Sequence, residues 1–247
     1  MAWGDVFGAP FGLALGAVVL AGLVRGFSGF GSALVMNPLL SADAVFGPAA
    51  GVPIGTLLDG ILAVPFVPAS APLVDWRRIG PLATAALVAL PAGAWLLLHL
   101  DPTPMRWAMS AIVLSAVAIL TFGWRFHGRP SVPATAATGL VSGLFAGASG
   151  MAGPPVIFYY LSGPDAAAQI RASLIVYFAV LDAFSLAIYG YAGAITLLSI
   201  ERAALLCPAY LGAAYLGARL FPFASERFYR RLALGILVGI AVGSLFL

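Results

Sequence analysis

From Phe11 to Leu247 the chain is a succession of apolar blocks with no polar domain between them. Each is about 20 residues long, the length that crosses the hydrocarbon of a bilayer. Lipid offers no partner to a backbone N–H or C=O, so a spanning segment must be a helix or part of a closed barrel. Blocks of this length are helices. Hydrophobic residues make up 62% of the chain and charged residues 9%, against roughly 25% charged in a soluble domain. The lipid bilayer is therefore the expected partner. All 12 basic residues are arginine, and the net charge is +3. That balance suits anchoring of loops at a cytoplasmic face and does not call for nucleic acid. Cys207 stands alone, and neither His99 nor His127 has a ligand partner at useful spacing, so no metal or other cofactor is expected. The N-terminal MAWGDVFGAPFG has Asp5 and no basic residue, unlike a cleavable signal peptide.

The spans read as 9–40 (broken), 47–68, 79–99, 106–124, 135–161 (broken), 172–192, 202–220 and 229–247, joined by short loops. Two of them repeat. Gly22-Leu-Val-Arg-Gly26 returns as Gly139-Leu-Val-Ser-Gly143 at an offset of 117, which also pairs Ser32 with Ser149 and Pro38 with Pro155. Leu58-Asp59 pairs with Leu181-Asp182 at 123, and Arg78, Gly93-Ala94 and Arg106 pair with Arg202, Gly217-Ala218 and Arg230 at 124. The reading is a single transmembrane domain made of two duplicated units, 1–125 and 126–247, of about four spans each.

Each unit opens on a helix interrupted by glycine and serine, GFSGFGS at 26–32 and GLFAGASGMAGPP at 143–155. Broken backbone at membrane depth is tolerated only where protein or a cavity covers it. Paired breaks at matching points point to a transporter with a binding site near the midplane. If each broken segment crossed once, the arginines would divide five against seven. If each enters and returns, Arg25, Arg77, Arg78, Arg125, Arg129, Arg171, Arg219, Arg227, Arg230 and Arg231 share a face, opposite Arg106 and Arg202. Ten against two obeys the positive-inside rule. The expected fold is thus an all-α polytopic membrane protein with two inverted-topology repeats, each opened by a broken or re-entrant helix, and both termini periplasmic.

The chemistry is expected at the breaks. Gly22, Gly26, Gly139 and Gly143 have the small-xxx-small spacing that lets membrane helices pack closely. Gly29, Gly31 and Ser32, with Gly147, Ser149, Gly150 and Gly153, are too dense for an ordinary helix. Each glycine costs a helix about 1 kcal/mol relative to alanine. Such runs uncover N–H groups at half-helix starts, where anions bind. Pro154 and Pro155 suit the first turn of the following half-helix. Arg25 lies at the first break, with Ser142 in the matching place. It serves either as a clamp on an oxyanion or as a group snorkelling to the interface. Asp59 and Asp182 sit near the centres of their blocks, where a carboxyl group can bind and release a proton during transport; a structural hydrogen bond is the other reading. Tyr159, Tyr160, Tyr177, Tyr189 and Tyr191 read as an interfacial belt.

Glycine-rich breaks opening each half, a later proline, an apolar segment and a basic loop resemble the TauE/SafE family, bacterial permeases also described as sulfite or sulfonate exporters. The resemblance covers 9–247. The family's double- or triple-glycine core stands here as Gly29-Phe-Gly31-Ser32 and Gly147-Ala-Ser-Gly150-Met-Ala-Gly153, looser than typical. It implies a cell-membrane exporter of small sulfur-containing anions such as sulfite or sulfoacetate, coupled to an ion gradient, with those two stretches as the site. Asp59 and Asp182 match no motif of the family, so their role rests on the physical argument. Two other classes compete. An anion channel would conduct without gradient coupling. Gly26-Phe-Ser28-Gly29 and Gly147-Ala-Ser149-Gly150 both fit the G-x-S-G of intramembrane serine proteases. A serine nucleophile needs a histidine in reach, and none follows Ser149, so no enzyme is expected.

Overall fold

The computed structural model describes residues 9–28, 30–42, 45–122, 131–161 and 167–220. Among them every element is helical: α1 (Ala9–Ser28), α2 (Ser32–Leu40), α3 (Pro48–Ala63), α4 (Val67–Ser70) running into a 3₁₀ turn (Ala71–Leu73), α5 (Trp76–His99), α6 (Pro102–Phe122), α7 (Val132–Ser149), α8 (Gly153–Leu161), α9 (Ala167–Tyr191) and α10 (Leu197–Leu220). Among the described residues four helices are long and apolar enough to cross a membrane, or five if α3 and α4, bent by 58°, count as one broken span. The expected span 229–247 lies outside the described residues, as do Arg125, His127, Arg129, Arg227, Arg230 and Arg231.

The starts and stops follow from local sequence. The Asp75 carboxylate accepts from Arg77 N–H at 3.1 Å and Ser131 Oγ accepts from Ala134 N–H at 3.4 Å, so both α5 and α7 open on a side chain that satisfies an orphan donor. Gly150 ends α7 at φ 68, a left-handed stop that glycine adopts without penalty. Pro154 and Pro155 then occupy the first turn of α8, where their missing donors cost nothing.

Each broken segment is a hairpin. Ser142 Oγ donates to Ala152 C=O at 2.8 Å, and Thr135 Oγ1 and Tyr159 Oη lie 2.9 Å apart. Positions before and after the break pair in reverse order, so α8 returns along α7. In the first segment Val35, Met36 and Leu40 of α2 share one apolar cluster with Ala14, Ala17, Val18 and Ala21 of α1.

The long leg of each hairpin is held by a glycine seam. On α1, Gly22 faces Tyr210 and Ala213, and Gly26 faces Ala214 and Ala218 of α10; Gly217 returns the contact to Leu23 and Phe27. On α7, Gly143 faces Ala86, and Gly147 faces Leu90 and Ala94 of α5; Gly93 returns the contact to Leu144 and Ala148. A Cβ at any of these six glycines would overlap the partner's backbone. In each seam the contacts ascend together along both helices, so α1 runs parallel to α10 and α7 parallel to α5.

The seams correct the repeat register. Gly22 is equivalent to Gly143 and Gly26 to Gly147, an offset of 121 in place of 117, whereas Gly93 and Gly217 keep their offset of 124. The second unit has glycine at 139, 143 and 147 and the first only at 22 and 26, so an alignment can slip by one helical turn. The true register is the one that superposes the two G-x-S-G tetrapeptides. The position matching Arg25 is therefore Ala146, not Ser142. The apolar clusters agree: Ile79, Leu82, Ala86, Leu90, Val156 and Leu181 in one occupy the places of Ala203, Leu206, Tyr210, Ala214, Val35 and Leu58 in the other.

The tyrosines do not form a belt. Tyr160, Tyr177 and Tyr189 are fully buried, and Tyr191, 98% exposed, alone among the five lies open. Tyr177 Oη donates to Ser142 Oγ at 2.8 Å and Tyr189 Oη to Gly147 C=O at 2.6 Å. A phenol goes inside an apolar bundle when its hydroxyl finds such a partner.

Candidate functional site

The breaks of the two hairpins meet at one cavity. Its wall takes Arg25 from α1, Gly31 and Ser32 from the first break, and Ala146, Gly150, Met151, Ala152 and Gly153 from the second. Asp59 on α3 and Phe178, Leu181, Asp182 and Ser185 on α9 complete it.

Gly31, at φ 89, turns the chain out of α1 and sets Ser32 as the first residue of α2. That places Ser32 Oγ 2.7 and 2.9 Å from the two oxygens of Asp59. The Tyr210 hydroxyl, from α10, donates to the same carboxylate. Asp59 is 5% exposed and Arg25 8%. The Arg25 guanidinium lies 5.9 Å from the Phe178 ring centre, within cation–π range. Asp59 and Asp182 both act on it electrostatically. Among the described residues Arg25 has no hydrogen-bond or ion-pair partner, so its donor fork is available to the cavity. Asn37 on α2 ties the two breaks together, with Nδ2 2.7 Å from Ser149 C=O.

The structure thus brings Arg25, Gly31, Ser32, Asp59, Gly150, Gly153 and Asp182 into one wall. Arg25 lies at the cavity, not at the interface. Gly147 belongs to the α5 seam and Ser149 hydrogen-bonds backbone, its Oγ donating to Phe145 C=O at 2.8 Å; neither lines the cavity. Gly29 lies outside the described residues. Tyr210, Phe178, Asn37 and Ser185 escaped the sequence reading. Tyr210 sits 151 positions from the carboxylate it serves, a separation that no local pattern spans.

Charged groups enclosed by apolar helices, where two hairpin tips meet, define a polytopic membrane transport protein. The chain belongs to the TauE/SafE sulfite exporter family, whose model matches residues 14–244. It is 26% identical over 245 residues to the "Probable sulfite/organosulfonate exporter TauE" of Cupriavidus necator, covering 96% of this chain and 88% of that protein. No solved structure matches it significantly. Members of the family are transporters, not enzymes. His99 stacks on Trp95 and hydrogen-bonds Trp95 C=O.

Proposed function

We propose that this chain is a proton-coupled secondary transporter of a small sulfur oxyanion, sulfite or an organosulfonate, acting by alternating access around the two hairpin tips. The observation that carries this reading is the single cavity shared by Arg25, both aspartates and both breaks. Arg25 offers a bidentate fork to a planar or tetrahedral oxyanion, beside Ser32 and the backbone of Gly31, Gly150 and Gly153. Of the remaining sequence candidates, Gly147 and Ser149 support the second tip from behind.

Charge arithmetic supports coupling. With both carboxylates ionised, the one guanidinium would leave the cavity one unit negative. An entering anion about 4 Å from a carboxylate would meet a repulsion of roughly 4 kcal/mol at an effective dielectric near 20. Anion occupancy and carboxyl protonation are therefore linked, and the pair moves together. Flux follows the combined gradient, outward when the interior holds the excess anion.

The two units, 1–125 and 126–247, are read as inverted, in the bacterial inner membrane with both termini periplasmic. With Arg25 withdrawn to the cavity, the arginine count becomes nine against two and still obeys the positive-inside rule. A C-terminal alkaline phosphatase fusion should be active; an inactive one overturns the orientation.

Proteoliposomes loaded with sulfite, sulfate or an organosulfonate test the transport reading. Anion flux that responds to an imposed pH gradient is expected. No flux under any gradient overturns it, and single-channel conductance without gradient dependence would make the protein a channel.

A further inference from the structure

Asp59 and Asp182 occupy equivalent places in the two units, at an offset of 123, yet their surroundings differ completely. Asp59 is fully buried and receives three hydrogen-bond contacts, two from Ser32 and one from Tyr210. Applying the hairpin offset of 121 and the α5-to-α10 offset of 124 gives the second unit's counterparts. Ser32 is replaced by Gly153, Tyr210 by Ala86 and Arg25 by Ala146. Every polar group that serves Asp59 has become glycine or alanine around Asp182. Among the described residues Asp182 has no hydrogen-bond partner; it is half-buried and lines the cavity.

We infer that the pair has divided its roles, Asp182 being the group that takes up and releases the transported proton and Asp59 a fixed carboxylate that positions the first hairpin tip and Arg25. This rests on the proton-coupled reading above. A carboxylate whose oxygens are held by two hydroxyl groups keeps one geometry. It braces α2 through Ser32, α10 through Tyr210, and the buried guanidinium through its charge. A carboxyl group on an open wall, with no donor committed to it, can exchange a proton with water or anion entering the cavity.

The charged and titratable groups facing Asp182 are few. From α1 it meets Arg25 and from α3 Asp59, with Tyr210 of α10 behind Asp59; Tyr189 lies on its own helix. The stretch 146–153 of α7 and α8 holds no ionisable side chain, nor do α4 and its 3₁₀ turn, and α5 carries its ionisable groups only at its two ends, Arg77, Arg78 and His99. The proton that compensates an incoming anion therefore has one free address.

The test uses the full chain in proteoliposomes. Asp182→Asn is expected to flatten the pH dependence of sulfite–sulfite exchange and to lose the acceleration of sulfite uptake by an acid-outside gradient. Asp182→Glu should restore gradient response. Asp59→Asn is expected to lower exchange more than tenfold at every pH without changing the shape of its pH profile. Dicyclohexylcarbodiimide, which modifies protonated carboxyl groups, gives a readout on the wild-type protein alone. Mass spectrometry should find the adduct on Asp182, increased by sulfite, and not on Asp59. An adduct on Asp59, or gradient-driven flux surviving in Asp182→Asn, overturns the division of roles. Absence of gradient response in wild type would instead overturn the coupling itself.

Discussion

On the first hairpin the polar side chains face the cavity: Arg25 and Ser32 look onto it, and Asp59 and Tyr210 complete their network. On the second hairpin they face inward. Thr135 meets Tyr159, Ser142 meets Tyr177, and Tyr189 meets the Gly147 carbonyl. The equivalent positions on the first side are Ala14, Pro38, Ala21, Ile54, Phe66 and Gly26. One backbone device has thus been fitted with two chemistries. The first hairpin brings charge to the cavity, and the second brings a shaped backbone stiffened by neutral hydrogen bonds. The break recurs in both hairpins; the side chains around it do not.

This contrast can be broken first where the two hairpins are the same. Gly147→Leu and Gly26→Leu each drive a side chain into partner backbone, and overpacking of this kind costs about 3 kcal/mol or more. Both should abolish a monodisperse peak in size-exclusion chromatography, whereas Gly12→Leu, with open space around it, should not. Where the hairpins differ, only the charged one should matter for the ligand. Arg25→Gln should lower sulfite flux about 100-fold, the effect of roughly 3 kcal/mol lost from a buried charge pair. Arg25→Lys should recover part of it, since lysine brings charge without the fork. Tyr210→Phe removes one donor from Asp59 and should cost about 1.5 kcal/mol, read as a roughly tenfold fall in flux. The smallest effect belongs to the neutral side. Tyr177→Phe leaves Ser142 bonded to Ala152 and should cost about 1 kcal/mol in thermal unfolding, with flux within about twofold of wild type.

Much of the architecture was legible from length alone. A 32-residue apolar segment at 9–40 is too long for one crossing and too short for two, and the hairpin is what such a length allows. Gly93 and Gly217 were matched correctly because neither has another glycine one helical turn away. The hairpin register was not, because Gly139, Gly143 and Gly147 offer two alignments a turn apart, and the longer Gly-Leu-Val-x-Gly match selected the wrong one. The tyrosines were misplaced for a different reason. A phenol suits both an interface and a satisfied interior, and which one it takes depends on partners far along the chain. Arg25 and the aspartates were found one by one, since buried charge in an apolar block is conspicuous. Their convergence on one cavity depends on how α1, α3 and α9 pack, which no local pattern records.

The seams join α1 to α10 and α7 to α5 across the midpoint of the sequence. Each long hairpin leg is welded, backbone against backbone, to a helix from the opposite unit. Rocking of 1–125 against 126–247 as two rigid bodies would break both seams, so any rocking must divide the molecule along other lines. A chain cut between α6 and α7 would yield two fragments, each with an uncovered glycine face shaped for the other. Two such fragments expressed together have a reason to reassemble, and either one alone has none to remain folded.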